Sequence, residues 1–423
     1  MRRLALWLVA LAVAMLPLAA MAQGPQADPA LRTKADALVA ILDGRGVYET
    51  YFGDSFREKV PKAQFATIVG KLKATLGAPL KIESLTATSA WSADLVVGYA
   101  RGTASVRLAL DPEAPHAATG LLITGTGARD DSLAKIEAEF RALPGASGIG
   151  LYALGQGKPE PIFEYRADVA APLGSAFKLW VLAELARQVA AGERHWADVV
   201  KVGTPSLPSG VVQTWPAESP VTVQTLATLM ISISDNTATD TLLTTLGRAK
   251  VDAMAETAGG SVPVMTTREM FALKGDPALT KAWAAGSVDE RRALLVDNAI
   301  KISTAKLDPT VFAGKPVAID SVEWFASPSA MAGVLDRLRG ADATTRAVLA
   351  VNAGVDPMIA KRFGYVGFKG GGEPGVLTLN YLVQAKDGRW YAATGNWHRA
   401  DDGVNEVRFA GLMGRALALL AAR

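Results

Sequence analysis

Cysteine is absent from all 423 residues, and only three histidines occur, His116, His195 and His398. The first absence excludes disulfides, thiolate nucleophiles and thiolate–metal centres. The histidines show no metal-ligand spacing and fall in none of the motifs described below, so no metal and no other cofactor is expected. A Ser-His-Asp triad through His398 is the one histidine alternative, and nothing in the sequence brings that residue near a nucleophile. A dominant charge is missing too. Lys and Arg number 44 against 41 Asp and Glu, without a dense basic cluster, which argues against nucleic acid as a partner. After the first two dozen residues no run reaches about eighteen apolar residues, so no membrane span is expected in the mature chain.

What is present begins at the N-terminus. Arg2 and Arg3 precede an apolar run over residues 4–16, broken at Pro17, and Ala20-Met21-Ala22 stands before Gln23. A basic start, a short apolar segment and small residues at a cleavage position describe a secretory signal peptide over residues 1–22. Its removal takes two arginines and no acid, so the formal charge falls from +3 to +1. A periplasmic or secreted location follows as the expectation. The remaining length suits two or three domains.

Helical spacing marks residues 31–43, and a second helix is expected over 62–76 after Pro61. Four apolar runs follow closely, 80–88, 94–101, 103–110 and 119–124, and read as an antiparallel meander. Helices ahead of a curved sheet resemble the NTF2-like cone, a smaller α+β domain assigned to residues 23–126. Gly125-Thr126-Gly127 marks the boundary. Residues 127–423 then show a helix (132–143), strands at 149–154 and 161–165, a helix from 175 to 191 and a long helical middle. Strands at 365–368, 376–384 and 390–394 and an amphipathic helix (404–420) close the chain. This is an α/β (α+β) sandwich on an antiparallel five-stranded sheet.

Three segments read Ser-x-x-Lys: Ser132 to Lys135, Ser175 to Lys178 and Ser303 to Lys306. Ser132 lies in a charged stretch, and Ser303 comes late, with no comparable motif after it. Ser175 opens a strongly apolar helix. Residues three apart share a helix face, so Lys178 can reach the Ser175 hydroxyl, and a helix N-terminus favours developing negative charge. Downstream, Ser234-Asp235-Asn236 follows an apolar helical run, and Lys369-Gly370-Gly371 follows a strand-like Tyr365-Val366-Gly367-Phe368. Gly370, Gly372 and Gly375 also fit Gly-x-Gly-x-x-Gly, but a strand follows them where a dinucleotide site needs a helix.

The three motifs in this order resemble the Ser-x-x-Lys, Ser-Asp-Asn and Lys-Thr-Gly elements of class A β-lactamases and penicillin-binding proteins. The resemblance covers roughly residues 128–423. It implies a β-lactamase/transpeptidase-like serine hydrolase acting on a small-molecule substrate, a β-lactam or a related amide, ester or peptidoglycan fragment. Ser175 would attack a carbonyl, Lys178 would accept its proton, and Ser234 would relay a proton to the leaving group. Asn236 would bind substrate and hold Lys178, and Lys369 would meet a substrate carboxylate. Gly371 and Gly372 would line the substrate, with the N–H groups of Ser175 and Gly372 as oxyanion hole.

Two departures stand out. Class A enzymes carry a Glu-x-x-Leu-Asn segment whose Glu activates the deacylating water. Here residues 266–274 run from Thr266 to Lys274, with Glu269 one position too far from Leu273 and Lys274 in place of the Asn. An extra helical section, about 276–318, follows. Asp240 falls where those enzymes hold the Glu with an Asn, so Glu269 and Asp240 are the two candidate deacylation bases. The second departure is Gly370, which removes a Thr hydroxyl worth roughly 1.5–3 kcal/mol to a substrate carboxylate. Acylation is therefore expected to outrun deacylation. Turnover as an esterase or D,D-peptidase, or binding of β-lactam or peptidoglycan without turnover, are the alternatives.

Overall fold

The computed structural model describes residues 27–128, 131–306 and 314–423. The signal-peptide reading of residues 1–22 lies outside the described residues. The chain divides into two compact units between Thr124 and Gly125. Among the described residues no helix is long and apolar enough to cross a membrane.

The first unit contains α1 (Pro29–Asp43), α2 (Tyr48–Tyr51), α3 (Asp54–Lys59) and α4 (Lys62–Leu76), then β1 (Pro79–Ser89), β2 (Ser92–Tyr99), β3 (Gly102–Leu110) and β4 (Ala118–Ala128). The strands pair in sequence order as a four-stranded meander. Helix α1 starts where Asp28 accepts a hydrogen bond from the Ala30 N–H at 2.8 Å, with Pro29 in the first turn. It stops at Gly44, whose φ of 81° suits glycine alone. Its buried Leu31, Ala35, Leu38, Ile41 and Leu42 pack with Leu95, Val97, Val106 and Leu108 of the sheet. Helices α2 and α3 went unread in the sequence because four and six residues are too few to display a helical period. Their aromatic residues nevertheless bury, with Phe52 stacked on Phe56 at 4.2 Å.

The second unit runs α5 (Leu133–Arg141), β5 (Ala146–Leu154), β6 (Glu160–Tyr165), β7 (Ala171–Pro172), α6 (Lys178–Ala190), β8 (Val199–Lys201), β9 (Pro220–Thr222), α7 (Val223–Ser232), α8 (Asn236–Leu246), α9 (Arg248–Thr257) and α10 (Thr267–Lys274). The extra helical section is α11 (Pro277–Ala285), α12 (Val288–Asp297) and α13 (Ala299–Thr304). Then come β10 (Phe325–Ala326), α14 (Pro328–Arg339), α15 (Ala343–Leu349), α16 (Pro357–Ala360), β11 (Phe363–Glu373), β12 (Val376–Ala385), β13 (Trp390–His398) and α17 (Glu406–Ala421). The main sheet is five-stranded and antiparallel in the order β11-β12-β13-β5-β6.

The two faces of that sheet feed two cores. Tyr381, Val383, Tyr391 and Ala393 pack with Phe140 of α5 and Phe409 and Met413 of α17. Their alternates Leu382 and Ala392 pack with α6 and α14, the two-residue period of a strand covered on both sides. Helix α6 has no polar face to give to water: ten of its residues, from Lys178 to Gln188, are buried, which makes it the central post of the unit. The α/β sandwich expected from the order of elements is the fold observed.

Candidate active site

Ser175 does not open the α-helix itself. It lies in a 3-10 turn, Gly174–Phe177, that leads into α6 at Lys178. In a 3-10 turn residues i and i+3 eclipse, so Lys178 falls on the same side as Ser175. The turn is fixed from behind by Phe177, stacked on Trp324 at 3.8 Å. Gly174 takes a positive φ of 48°, and a side chain there would crowd the Gly372 N–H, 2.9 Å from its Cβ position. A Cβ on Gly371 would lie 2.6 Å from the Ser175 N–H nitrogen. Glycines at these places let the edge of β11 reach the Ser175 turn, which brings the backbone of Ser175 and Gly372 together.

Lys178 is fully buried. Its Nζ donates to the Ser234 carbonyl at 2.7 Å, the Ser234 hydroxyl at 3.0 Å and Asn236 Oδ1 at 2.7 Å. Loss of solvation, and then the nearby charge of Lys369, hold its pKa well below the ordinary lysine value. Ser234 sits between α7 and α8 with φ at 58°, a left-handed conformation that costs energy for a serine. Asp235 stabilises that turn from inside the protein. Its carboxylate accepts from the N–H groups of Val211, Val212 and Ala238. On the opposite side, Lys369 Nζ donates to the same Ser234 hydroxyl at 3.1 Å and to the Gly370 carbonyl at 2.5 Å. Burial pushes the Lys369 pKa down to about 7. The Ser234 hydroxyl thus bridges two lysines 191 positions apart in the chain, while Ser175 Oγ has no hydrogen-bond partner among the described residues.

Ser175, Ser234, Asn236, Lys369, Gly371 and Gly372 all line one cavity of about 640 Å³, with Lys178 beneath it. A Cβ on Gly370 would stand 2.9 Å from the tip of the Phe368 ring, which would have to shift to admit it.

Residues 131–347 match the family described as the beta-lactamase enzyme family. The chain belongs to this family, and is a serine hydrolase. Three solved structures are among those to which the chain is similar. A β-lactamase from Sphaerobacter thermophilus DSM 20745 is 22% identical, over 69% of this chain and 94% of its own, with a TM-score of 0.44. PBP-A is 16% identical over 69% and 94%, with a TM-score of 0.47. An ancestral class A β-lactamase is 18% identical over 69% and 100%, with a TM-score of 0.48. No curated protein matches the chain.

Two of the sequence-derived candidates of this beta-lactamase-family chain lie elsewhere. Glu269 lines a second cavity, of about 460 Å³, together with Asp240, Arg248 and Arg268. There both oxygens of Glu269 accept from Arg248 Nη2, at 2.6 and 2.8 Å, and Glu269 closes a capping box with Thr266 at the start of α10. Asp240 is committed as well. It accepts from the Thr267 N–H at 2.7 Å, the Thr267 hydroxyl at 2.8 Å and the Arg268 N–H at 3.0 Å. Burial raises its pKa, opposed by those same hydrogen bonds. Neither carboxylate borders the Ser175 cavity.

The decoy motifs resolve into structural roles: the Ser132 hydroxyl caps α5 by accepting from the Lys135 N–H, and Ser303 lines the second cavity. The carboxylates that do line the Ser175 cavity are Glu323, Glu373 and Glu406, none of them singled out by the sequence motifs. One signal was available for two of them: Lys274, standing in the place of the expected Asn, needs a counter-charge if it is buried, and Glu373 supplies it, with Glu323 at 3.6 Å.

Proposed function

We propose that this family member is an exported hydrolase in which Ser175 is acylated by β-lactams or related amides and esters and is released slowly. The observation that carries the reading is the Ser234 hydroxyl held between Lys178 and Lys369 on the wall of the Ser175 cavity. A lysine stripped of solvent is available as a neutral amine, and as such it takes the Ser175 proton. Ser234, hydrogen-bonded to it, passes that proton to the leaving nitrogen or oxygen. The negative charge on the attacked carbonyl falls at the N–H groups of Ser175 and Gly372. Lys369 meets a substrate carboxylate, and Asn236 steadies Lys178 and the substrate.

Slow release follows from the positions of Glu269 and Asp240, both bound to other partners outside this cavity. The missing hydroxyl at Gly370 weakens carboxylate recognition, which favours esters lacking a carboxylate as the second substrate class. Export rests on the basic and apolar pattern of residues 1–22. The organisation that goes with this reading is an NTF2-like domain over residues 23–126 ahead of the hydrolase domain, 127–423.

Intact-protein mass spectrometry with a penicillin tests the reading. One covalent equivalent on the peptide containing Ser175, decaying over minutes, is expected. Comparison of a chromogenic cephalosporin with a p-nitrophenyl ester then ranks the substrate classes. An adduct on another residue, or neither adduct nor hydrolysis of either compound, overturns the proposal.

A further inference from the structure

The two N–H groups assigned to the oxyanion site belong to segments held by different parts of the fold. The Ser175 turn is tied to the residues that lead into β10. The Leu173 N–H donates to the Trp324 carbonyl at 2.8 Å, and the Gly174 N–H to Glu323 Oε2 at 3.1 Å. Gly372 belongs to β11, where it pairs with Leu377 of β12. Among the described residues no hydrogen bond joins residues 173–177 directly to β11. The glycines at 174 and 371 let the two segments approach, but contact alone does not hold them at one spacing. An oxyanion is stabilised where its donors stand about 2.7–3.1 Å from it, so that spacing matters to the chemistry.

Lys274, the last residue of α10, spans the gap. Its Nζ donates to the carboxylate of Glu373, the residue directly after Gly372, and lies 3.6 Å from Glu323 Oε1. The Lys274 and Glu323 side chains are fully buried, and that of Glu373 is 9% exposed. Through Glu373 the lysine grips the residue after one oxyanion donor, and through Glu323 the residue before the other. Oε1 of Glu323 also faces the Glu373 carboxyl. Burial, and then that neighbour, raise the Glu323 pKa well above the ordinary value. A proton on Glu323 leaves one carboxylate to balance Lys274, so the buried cluster is neutral. Removing one partner from such a pair strands the other charge inside the protein.

We infer that Lys274 is a positioning residue for acylation, and that by joining Glu373 to Glu323 it fixes the spacing of the Ser175 and Gly372 N–H groups. The inference rests on the reading of Ser175 as an acylated nucleophile with these groups as its oxyanion site. Without the lysine, the Glu373 carboxylate faces Glu323 with no cation between them, and the end of β11 loses its tie to the Ser175 turn. A planar substrate carbonyl draws little on the two donors, whereas the tetrahedral oxyanion depends on both. The loss therefore falls on the transition state and spares substrate binding.

The probes are a penicillin, a p-nitrophenyl ester and phenylboronic acid. Boron accepts the Ser175 Oγ electron pair as the hydroxyl proton passes to Lys178, and the tetrahedral adduct sets a boron-bound hydroxyl at the oxyanion site. Stopped-flow acylation at rising substrate concentration separates the substrate Kd from the acylation rate constant, and thermal melts check the fold of each variant. In Lys274→Met and Glu373→Ala the acylation rate constant falls about 10- to 100-fold, boronic acid affinity falls by a similar factor, and substrate Kd stays within about threefold. Glu373→Gln keeps an oxygen for the Lys274 ammonium, so its acylation rate and boronic acid affinity stay within about threefold of the wild type. Glu373→Ala carries the test should Lys274→Met fail to fold. Wild-type boronic acid affinity in the folded disruptive variants overturns the positioning role. A loss carried by substrate Kd, with the acylation rate constant unchanged, overturns it as well. If the wild type binds the boronic acid at Ser175 but is acylated by neither substrate, the acyl-enzyme reading falls alone, and the boronic acid affinities of the variants decide the role of Lys274. Absence of any Ser175 adduct with all three probes overturns both.

Discussion

Helix α10 helps to wall two cavities, and the contrast between them explains the placement of carboxylates in this protein. Thr267, Met270 and Phe271 face the cavity that contains Ser175, while Thr266, Arg268 and Glu269 face the other. Successive residues on an α-helix are rotated by about 100°, so the one-position offset of Glu269 from the family spacing carries it out of the Ser175 cavity. In the second cavity it finds Arg248 and the start of its own helix. Met270 holds the place on the Ser175 side. A motif with the right residue types but the wrong phase therefore marks a structural ion pair.

The contrast makes substitutions in the two cavities behave differently. Changes in the first should alter rates with little loss of stability, and changes in the second should do the reverse. The largest expected effect is that of Ser175→Ala. Turnover and labelling by a fluorescent penicillin should both disappear, a loss of at least about 10⁴-fold, with the melting temperature retained. Labelling at the wild-type level would move the nucleophile out of this cavity and dissolve the contrast.

Lys369→Ala comes next. Removing a charge-assisted contact worth about 1.5–3 kcal/mol should raise KM for carboxylate-bearing substrates by about 10- to 100-fold. KM for neutral esters should change far less, because they place no anion at this position. Equal effects on both substrate classes would assign Lys369 to holding Ser234 rather than to binding.

The same lysine predicts a smaller, graded effect with pH. With its pKa pushed down to about 7 by burial, Lys369 is cationic below that value and loses its charge as the pH rises through it. KM for a carboxylate-bearing ester should then be flat below about pH 7 and climb above it, while that of a neutral ester stays level. The sign is opposite to that for Lys178, which must be neutral to act as base, so acylation itself should fall at low pH. Parallel pH profiles for the two esters would remove Lys369 from carboxylate recognition.

Much of this was legible in the sequence, for a reason tied to distance along the chain. Ser175 and Lys178 lie within one turn, Ser234 and Asn236 flank a helix start, and the Lys369 motif follows an alternating strand. Local periodicity is enough to place each, and their order supplied the rest. The helices α1 and α4 and the sheet strands were readable for the same reason. The carboxylates in the cavity were not, because Glu323 reaches the Gly174 N–H from 149 positions away and Lys274 reaches Glu373 from 99. No local period encodes such a contact, and the loop that carries Glu323 follows the extra helical section, which the family motifs do not describe. The glycine in place of the usual Thr was likewise visible as a departure, while the Phe368 ring that stands close to it was not.

The smallest effect should come from Glu269→Gln, and it is the one that tests the contrast most directly. Glu269 makes a charge-assisted pair with Arg248 in a setting where the two side chains are 14% and 32% exposed. Partial exposure screens the interaction, and the amide retains one hydrogen bond to the guanidinium and the contact to the Thr266 N–H. The expected cost is about 1 kcal/mol, read as a drop of a few degrees in the melting temperature. Acylation and deacylation rates should stay within about twofold, since the side chain lies outside the Ser175 cavity. A class A general base in this position would behave in the opposite way, with stability retained and deacylation slowed by about 100-fold or more. Stopped-flow traces and thermal melts on the same protein sample distinguish the two outcomes, because each predicts a change in only one of the measurements. Loss of deacylation in Glu269→Gln would mean that α10 turns in the acyl-enzyme and that the two cavities exchange a wall during turnover.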